Sequence, residues 1–154
     1  MDNWIGHYEG YMFLEFPDRK IDSLKISLDI DIIEKGESWT QKFRYFSEKY
    51  RDILKDYVLK VNTKYSDGQH YFLDEKNGIL IDEIMLNNTL FSQYEVENNY
   101  YQTRLEKKDN SLYFEIVCSK SEGGTASKSD GEDEVFDVKS TLIYTIQFAE
   151  LFKK

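Results

Sequence analysis

The sequence predicts an all-β fold: about ten antiparallel strands in an up-and-down meander that closes into a barrel. Three observations predict it. Apolar residues recur at every second position from Leu24 to Ile32, LKISLDIDI, the period of a half-buried strand. Turn-forming residues punctuate the chain at short intervals: Lys35-Gly36, Ser66-Asp67-Gly68-Gln69, Asn77-Gly78, Asn87-Asn88, Asn98-Asn99 and Asp109-Asn110. Twelve Tyr and ten Phe beside a single Pro favour strands, and no stretch carries a sustained helical stripe.

Taken in order, Trp4 to Phe16 is the first strand, with Trp4, Tyr8, Met12, Leu14 and Phe16 on one side and Gly6 and Gly10 among them. A two-residue hairpin fixes which residues face each other, and facing residues share a side of the sheet. The Lys35-Gly36 turn sets Ile32 against Trp39, Ile30 against Gln41, Leu28 against Phe43 and Ile26 against Tyr45, with Asp29–Lys42 and Ser27–Arg44 on the other side. The turn at 66–69 sets Tyr65 against His70 and Thr63 against Phe72. Asn77-Gly78 sets Asp74 against Ile81 and Phe72 against Glu83. Asn87-Asn88 pairs Met85–Leu90, Glu83–Ser92, Ile81–Tyr94 and Ile79–Val96. Asn98-Asn99 pairs Val96–Tyr101, Tyr94–Thr103 and Ser92–Leu105. Asp109-Asn110 pairs Leu105–Phe114, Thr103–Ile116 and Tyr101–Cys118. One face stays mostly apolar, and the other lines up Asp82, Gln93, Arg104 and Glu115. The last strand, Val135 to Ala149, groups Val138, Leu142, Tyr144, Ile146 and Phe148. The small acidic stretch at about 121–134 is expected to be a mobile surface loop. Residues 1–154 are expected to form a single domain, closed so that no strand edge is left bare.

Charge and composition narrow the function classes. A net charge of −9 weighs against sequence-independent nucleic-acid binding and against docking on anionic membranes. No apolar run is long enough for a membrane-spanning helix, and the amino terminus lacks the pattern of a signal peptide. Cys118 is the single cysteine, so no internal disulfide forms, and the cytoplasm is the expected compartment.

Among candidate site residues, Glu83 stands out, because the register turns it inward. A buried carboxylate is costly unless hydrogen-bonded, paired or protonated, so Glu83 is a candidate ligand anchor or general acid/base. The alternatives are a wet barrel end or a bulge that turns it outward. His70, Asp74 and Gln41 are also expected inward, where they would line a polar cavity or flank hairpin ends at the rim. Tyr8, Tyr45, Tyr57, Tyr94, Tyr101 and Tyr144, with Ser92, are expected to face a pocket for a flat or amphipathic ligand, or else a packed core. His7 is expected outward. Cys118 is expected in the core beside Tyr101. Asp130, Glu132, Asp133 and Glu134 lack the spacing of a calcium loop and read as a solvated charge run. No residue pattern specifies a metal or a cofactor.

The opening Ile5-Gly6-His7-Tyr8-Glu9-Gly10, followed by a ten-strand meander, resembles the lipocalin and fatty-acid-binding-protein superfamily, the calycins, with Gly6-x-Tyr8 in place of their Gly-x-Trp. Gly-x-Tyr-x-Gly is also similar to the start of nitrobindin-like barrels. The resemblance implies a small apolar or aromatic ligand inside the barrel. It does not bring the family's other features. Pro17 to Ser23 is too short for a helix pair, the last strand STLIYTIQF holds no Arg-x-Tyr, and His7 and His70 lie too early for a proximal haem ligand. Three functions remain open: a small-ligand carrier, a lyase- or isomerase-type enzyme with Glu83 as acid/base, and a filled barrel that binds proteins.

Overall fold

The computed structural model describes residues 1–18, 21–47, 51–130 and 135–154. A short 3-10 turn, Asp2–Trp4, precedes the strands β1 (Gly6–Glu15), β2 (Asp22–Ile30), β3 (Ile32–Glu34), β4 (Ser38–Phe46), β5 (Ile53–Val61), β6 (His70–Asp74) and β7 (Leu80–Leu86). There follow β8 (Thr89–Val96), β9 (Asn99–Lys107), β10 (Ser111–Lys120), β11 (Ala126–Lys128), β12 (Asp137–Lys139) and β13 (Leu142–Lys153). The sheet runs β2-β1-β13-β10-β9-β8-β7-β6-β5-β4-β3, and pairing of β2 with β4 closes it. β2 and β3 are one strand interrupted at Asp31, so the wall is a ten-stranded antiparallel barrel, as the alternation and turn spacing predict.

Several hairpins have the predicted pairing. Ile32–Trp39, Leu28–Phe43, Ile26–Tyr45, Met85–Leu90, Glu83–Ser92, Leu105–Phe114, Thr103–Ile116 and Tyr101–Cys118 are all observed. The β8–β9 hairpin is shifted by two residues: Tyr94 faces Tyr101 and Ser92 faces Thr103. The turn residues are Glu97 and Asn98, both left-handed (φ 47° and 62°), while Asn99 enters the strand and donates its side-chain amide back to the Glu97 carbonyl at 2.9 Å. A two-residue shift keeps every side chain on its predicted face. Glutamate is disfavoured at left-handed φ, where asparagine is tolerated. Glu97→Asn is therefore expected to stabilise the chain by about 1 kcal/mol, read as a raised urea midpoint with an unchanged slope.

β6 is turned over. Its partners are Tyr71–Glu83 and Leu73–Ile81 rather than Phe72–Glu83 and Asp74–Ile81. Lys76 also takes a left-handed φ of 60°, so the loop holds three residues between Glu75 and Ile79, whose N–H···O bond of 3.1 Å closes it. One extra loop residue reverses the parity of the strand. Tyr71 and Leu73 are buried, and the expected inward His70, Phe72 and Asp74 are not. Asp74 instead pairs with Lys60 at 2.6 Å. His70 hydrogen-bonds Asp67 at 3.0 Å and stacks on Tyr65. Neither Tyr65 nor Thr63 pairs in a strand. Buried Asn62 accepts the Lys64 N–H with its side chain and starts the loop early.

The last strand also departs from expectation. Val138 and Leu142 are exposed, and Phe148 lies outside, stacked on Phe13 at 5.6 Å. Thr145, Ala149 and Leu151 are the buried residues, because an irregularity opposite Cys118 and Ser119 makes Tyr144 an extra residue in β13. The expected loop at 121–134 contains β11, which pairs with β12 as a small ribbon. Gly124 there packs against the Ser140 carbonyl, 1.8 Å from where a Cβ would stand. Glu132, Asp133 and Glu134 lie outside the described residues.

The barrel has two unlike ends. At the end holding the 87–88 and 109–110 turns, Trp4, Tyr8, Met12, Ile30, Trp39, Leu112 and Leu151 fill the interior. The Tyr8 hydroxyl donates to the Trp4 carbonyl at 2.8 Å, and the Trp39 indole donates to Asp2 at 3.1 Å, so the 3-10 turn plugs this end. The other end, with the 75–79 and 97–98 turns, is not filled. No helix among the described residues is long and apolar enough to cross a membrane.

Candidate functional site

The unfilled half holds a cavity of about 570 Å³. Gln41 and Tyr45 on β4, Tyr57 on β5, Glu83 on β7, Ser92 and Tyr94 on β8, and Tyr101 on β9 line it. Strand alternation brings them together, since all project to the inner face. Two residues expected with them do not line it. Tyr8 is packed in the plugged end, and Tyr144, beside the β13 irregularity, donates to the Asn99 side-chain oxygen at 3.4 Å. The cavity gains Phe43, Phe114, Ile116 and Thr103 as walls, and Lys55, Glu75, Asp82 and Glu95 as charged lining. Glu75 and Glu95 were legible in principle: each adjoins a turn, and successive turns alternate between the two ends of a meander.

The β7–β8 ladder ends at Glu83–Ser92, and Leu80–Asp82 make no recorded pairs with β8. Glu83 is thus the last paired residue before the two strands part. A second concavity of about 580 Å³, on the outer face over β7–β10, reaches the same point and is lined by Asp82, Phe91, Gln93, Arg104 and Glu115 as well as Glu83, Ser92 and Thr103. Of the outward ladder predicted from the hairpins, only Arg104 and Glu115 stand side by side, paired at 3.1 Å; the β8–β9 shift sets Arg104 opposite Phe91 and Gln93 opposite Gln102.

Glu83 is 7% exposed, and its Oε2 has no hydrogen-bond partner among the described residues. Burial raises its pKa to about 8, so at neutral pH the carboxyl is largely protonated. Gln41, 5% exposed, likewise has an unpartnered Oε1. Unsatisfied buried polar atoms are rare and costly; Asp56 and Arg104 also carry one each but are half-buried and ion-paired, whereas the two on fully buried residues, Glu83 and Gln41, line the same cavity. The neighbouring Ser92 and Thr103 hydroxyls satisfy each other at 2.6 Å. Burial pushes the Tyr94 hydroxyl up to about 12 and the Tyr45 hydroxyl higher still, so both are neutral donors. Burial, followed by the adjacent Glu75 carboxylate, raises Tyr57 in the same direction. Two aromatic pairs face the space: Phe43–Phe114, with centroids 4.8 Å apart, and Tyr94–Tyr101 at 5.3 Å. Cys118 is buried beside Tyr101, with its thiol pKa raised by burial, which suits a core residue rather than a nucleophile. Among the described residues, no three His, Cys, Asp or Glu gather as a metal site requires.

Fold and cavity together define a ten-stranded antiparallel barrel with one filled and one open half. No family model and no curated protein matches the sequence. Solved structures do match the fold. The chain is similar to the S-type phycobiliprotein lyase CPES from Guillardia theta, with a TM-score of 0.67 and 8% identity over 99% of this chain and 89% of that one. It is also similar to a protein of unknown function from the DUF3598 family of Nostoc punctiforme, with a TM-score of 0.66 and 9% identity over 99% of this chain and 48% of that one. At these identities the likeness concerns the fold alone.

Proposed function

We propose that the barrel holds a small, largely apolar or aromatic ligand in the unfilled half, with Glu83 and Gln41 as its polar anchors. The observation that carries this reading is the pair of buried, unpartnered polar atoms lining one aromatic-walled cavity. A packed core would not leave two such atoms unsatisfied, whereas a ligand with a donor and an acceptor repays both. Tyr45, Tyr57, Tyr94 and Tyr101 give flat apolar walls with hydroxyls, and Ser92 lies next to Glu83. Native mass spectrometry of gently purified protein, followed by denaturing extraction, is expected to release a reproducible small-molecule mass. The extracted and refolded protein is expected to bind the neutral dye Nile red. Gln41→Leu, which removes one anchor, should weaken retention of the extracted ligand by about tenfold. A clean apo mass together with no dye binding would sink the reading.

A second reading is favoured by one observation. A buried carboxyl whose pKa is raised to about 8 is the type of group that serves as general acid or base. The lyase-type alternative gives Glu83 that role, and the S-type phycobiliprotein lyase CPES of Guillardia theta has a similar barrel. Glu83→Gln separates the two: binding kept while conversion of the extracted ligand stops would identify catalysis.

A further inference from the structure

We infer that the ligand is an organic cation, an amine or ammonium group on an apolar or aromatic body, with its positive end directed at Glu83. The inference rests on the proposed cavity function and assigns its ligand class. The charged groups of the lining that are not exposed are both carboxyls, Glu75 and Glu83, whereas Lys55, Asp82 and Glu95 are all exposed. The walls are aromatic, and ring faces attract cations most strongly when both are shielded from water. Glu83 supplies an unpartnered buried oxygen in the same lining. A cationic head satisfies that oxygen, cancels the charge that burial disfavours, and lies among rings. A carboxylate ligand would instead meet the Glu75 and Glu83 carboxyls in a region of low polarisability. This is the reverse of the arrangement that an Arg-x-Tyr pair offers an acid.

The inference also predicts the direction of pH dependence. Glu83 is faced by Tyr71 from β6, by Ser92 and Tyr94 from β8, and by Thr103 from β9. His70, Arg104 and Glu115 stand on the outer side, the last two paired with each other. Among the described residues no basic group therefore neutralises Glu83 before a ligand does. A cation entering at pH 6 must expel the Glu83 proton, whereas at pH 9 the carboxylate is already formed. For a pKa of about 8, the ionised fraction rises roughly ninetyfold between these pH values, the upper limit on the gain in cation affinity.

The test uses three fluorescent probes that share one body and differ in tail charge: dansylcadaverine, its N-acetyl derivative, and the dansyl amide of 6-aminohexanoate. Each is titrated against the intact chain at pH 6, 7.5 and 9. The cation is expected to bind at least about tenfold tighter than the acetylated probe, with the carboxylate weakest and the gap widening with pH. Glu83→Gln is expected to remove most of the cation's advantage over the acetylated probe. Equal or tighter binding of the neutral probe overturns the cation assignment and leaves the cavity reading standing. Equal losses for both probes in Glu83→Gln also overturn the assignment. Failure of all three probes to bind overturns both.

Discussion

Glu83→Gln is expected to make the ligand-free protein more stable above neutral pH, by up to roughly 5 kcal/mol at pH 9. The folded carboxyl titrates near 8 and an unfolded one near 4.5, at about 1.4 kcal/mol per unit of difference. Because the folded value is the higher one, the native state binds more protons than the unfolded state between these limits. Stability therefore falls as pH rises through that window, and the loss is complete only above the folded pKa. Glutamine keeps the shape and a polar end but cannot ionise, so the variant escapes the loss. Below about pH 4.5 both proteins carry a neutral group at this position, and their difference should shrink to within about 1 kcal/mol. Urea unfolding of extracted, refolded protein at pH 4.5, 7 and 9 measures the divergence. All other titrating groups are common to both chains and drop out of the comparison. Parallel curves across the range would mean that Glu83 is hydrated or partnered in solution, and both proposed roles for it would lose their basis. A residue retained at such a cost is the kind found where function overrides stability.

What could be read in the sequence divides along physical lines. Hairpins with a true two-residue turn, at 87–88 and 109–110, give the observed pairing because the turn geometry leaves no freedom, and at 35–37 an irregularity between Ile32 and Glu34 absorbs the extra loop residue, so that Ile32–Trp39 and the pairs beyond it stay as predicted. The β8–β9 hairpin pairs two residues away from the predicted register, yet Tyr94 and Tyr101 still face inward because only odd shifts change faces. The β6–β7 turn differs by one residue. Lysine is not a residue that signals a left-handed turn, so nothing at Lys76 announced the third loop residue that carries His70 and Asp74 to the outside. The irregularity in β13 is equally silent, since the apolar residues Ile146 and Phe148 alternate in the wrong phase and find apolar neighbours on the outer face. Inward direction was legible; whether the interior is filled was not. Tyr8 and Tyr45 look alike in the pattern. One is covered by the amino-terminal turn and the other faces the cavity, a difference set by packing across the barrel between residues far apart in the chain.

The seam between the first and last strands, β1 and β13, depends on a residue with no side chain, and Gly10→Ala is expected to cost roughly 3 kcal/mol or more. Gly10 lies between Ile26 of β2 and Leu151 of β13. A Cβ there would stand 2.2 Å from the Glu150 carbonyl oxygen and 3.1 Å from a Leu151 methyl. The nearer obstacle is backbone, so it cannot swing aside as the end of a long side chain can. Either β13 withdraws, weakening the ladder from Tyr8–Lys153 to Glu15–Ile146, or β1 shifts inward against the fully buried Leu151 and Ile26. Both routes damage the part of the molecule that cannot be relieved locally, because β1 is held on its other edge by β2. The glycine of the opening motif is thus explained by close approach of strands rather than by contact with a ligand, since Gly10 does not line the cavity. Urea unfolding should show the loss, and amide exchange should place the greatest loss of protection in β1 and β13 rather than in β6–β8. A Gly10→Ala protein within about 0.5 kcal/mol of the parent would show that the seam can separate at little cost. Protection lost around the β7–β8 parting instead would show that strain at this seam is transmitted to the cavity wall, which would couple the seam to whatever the barrel holds.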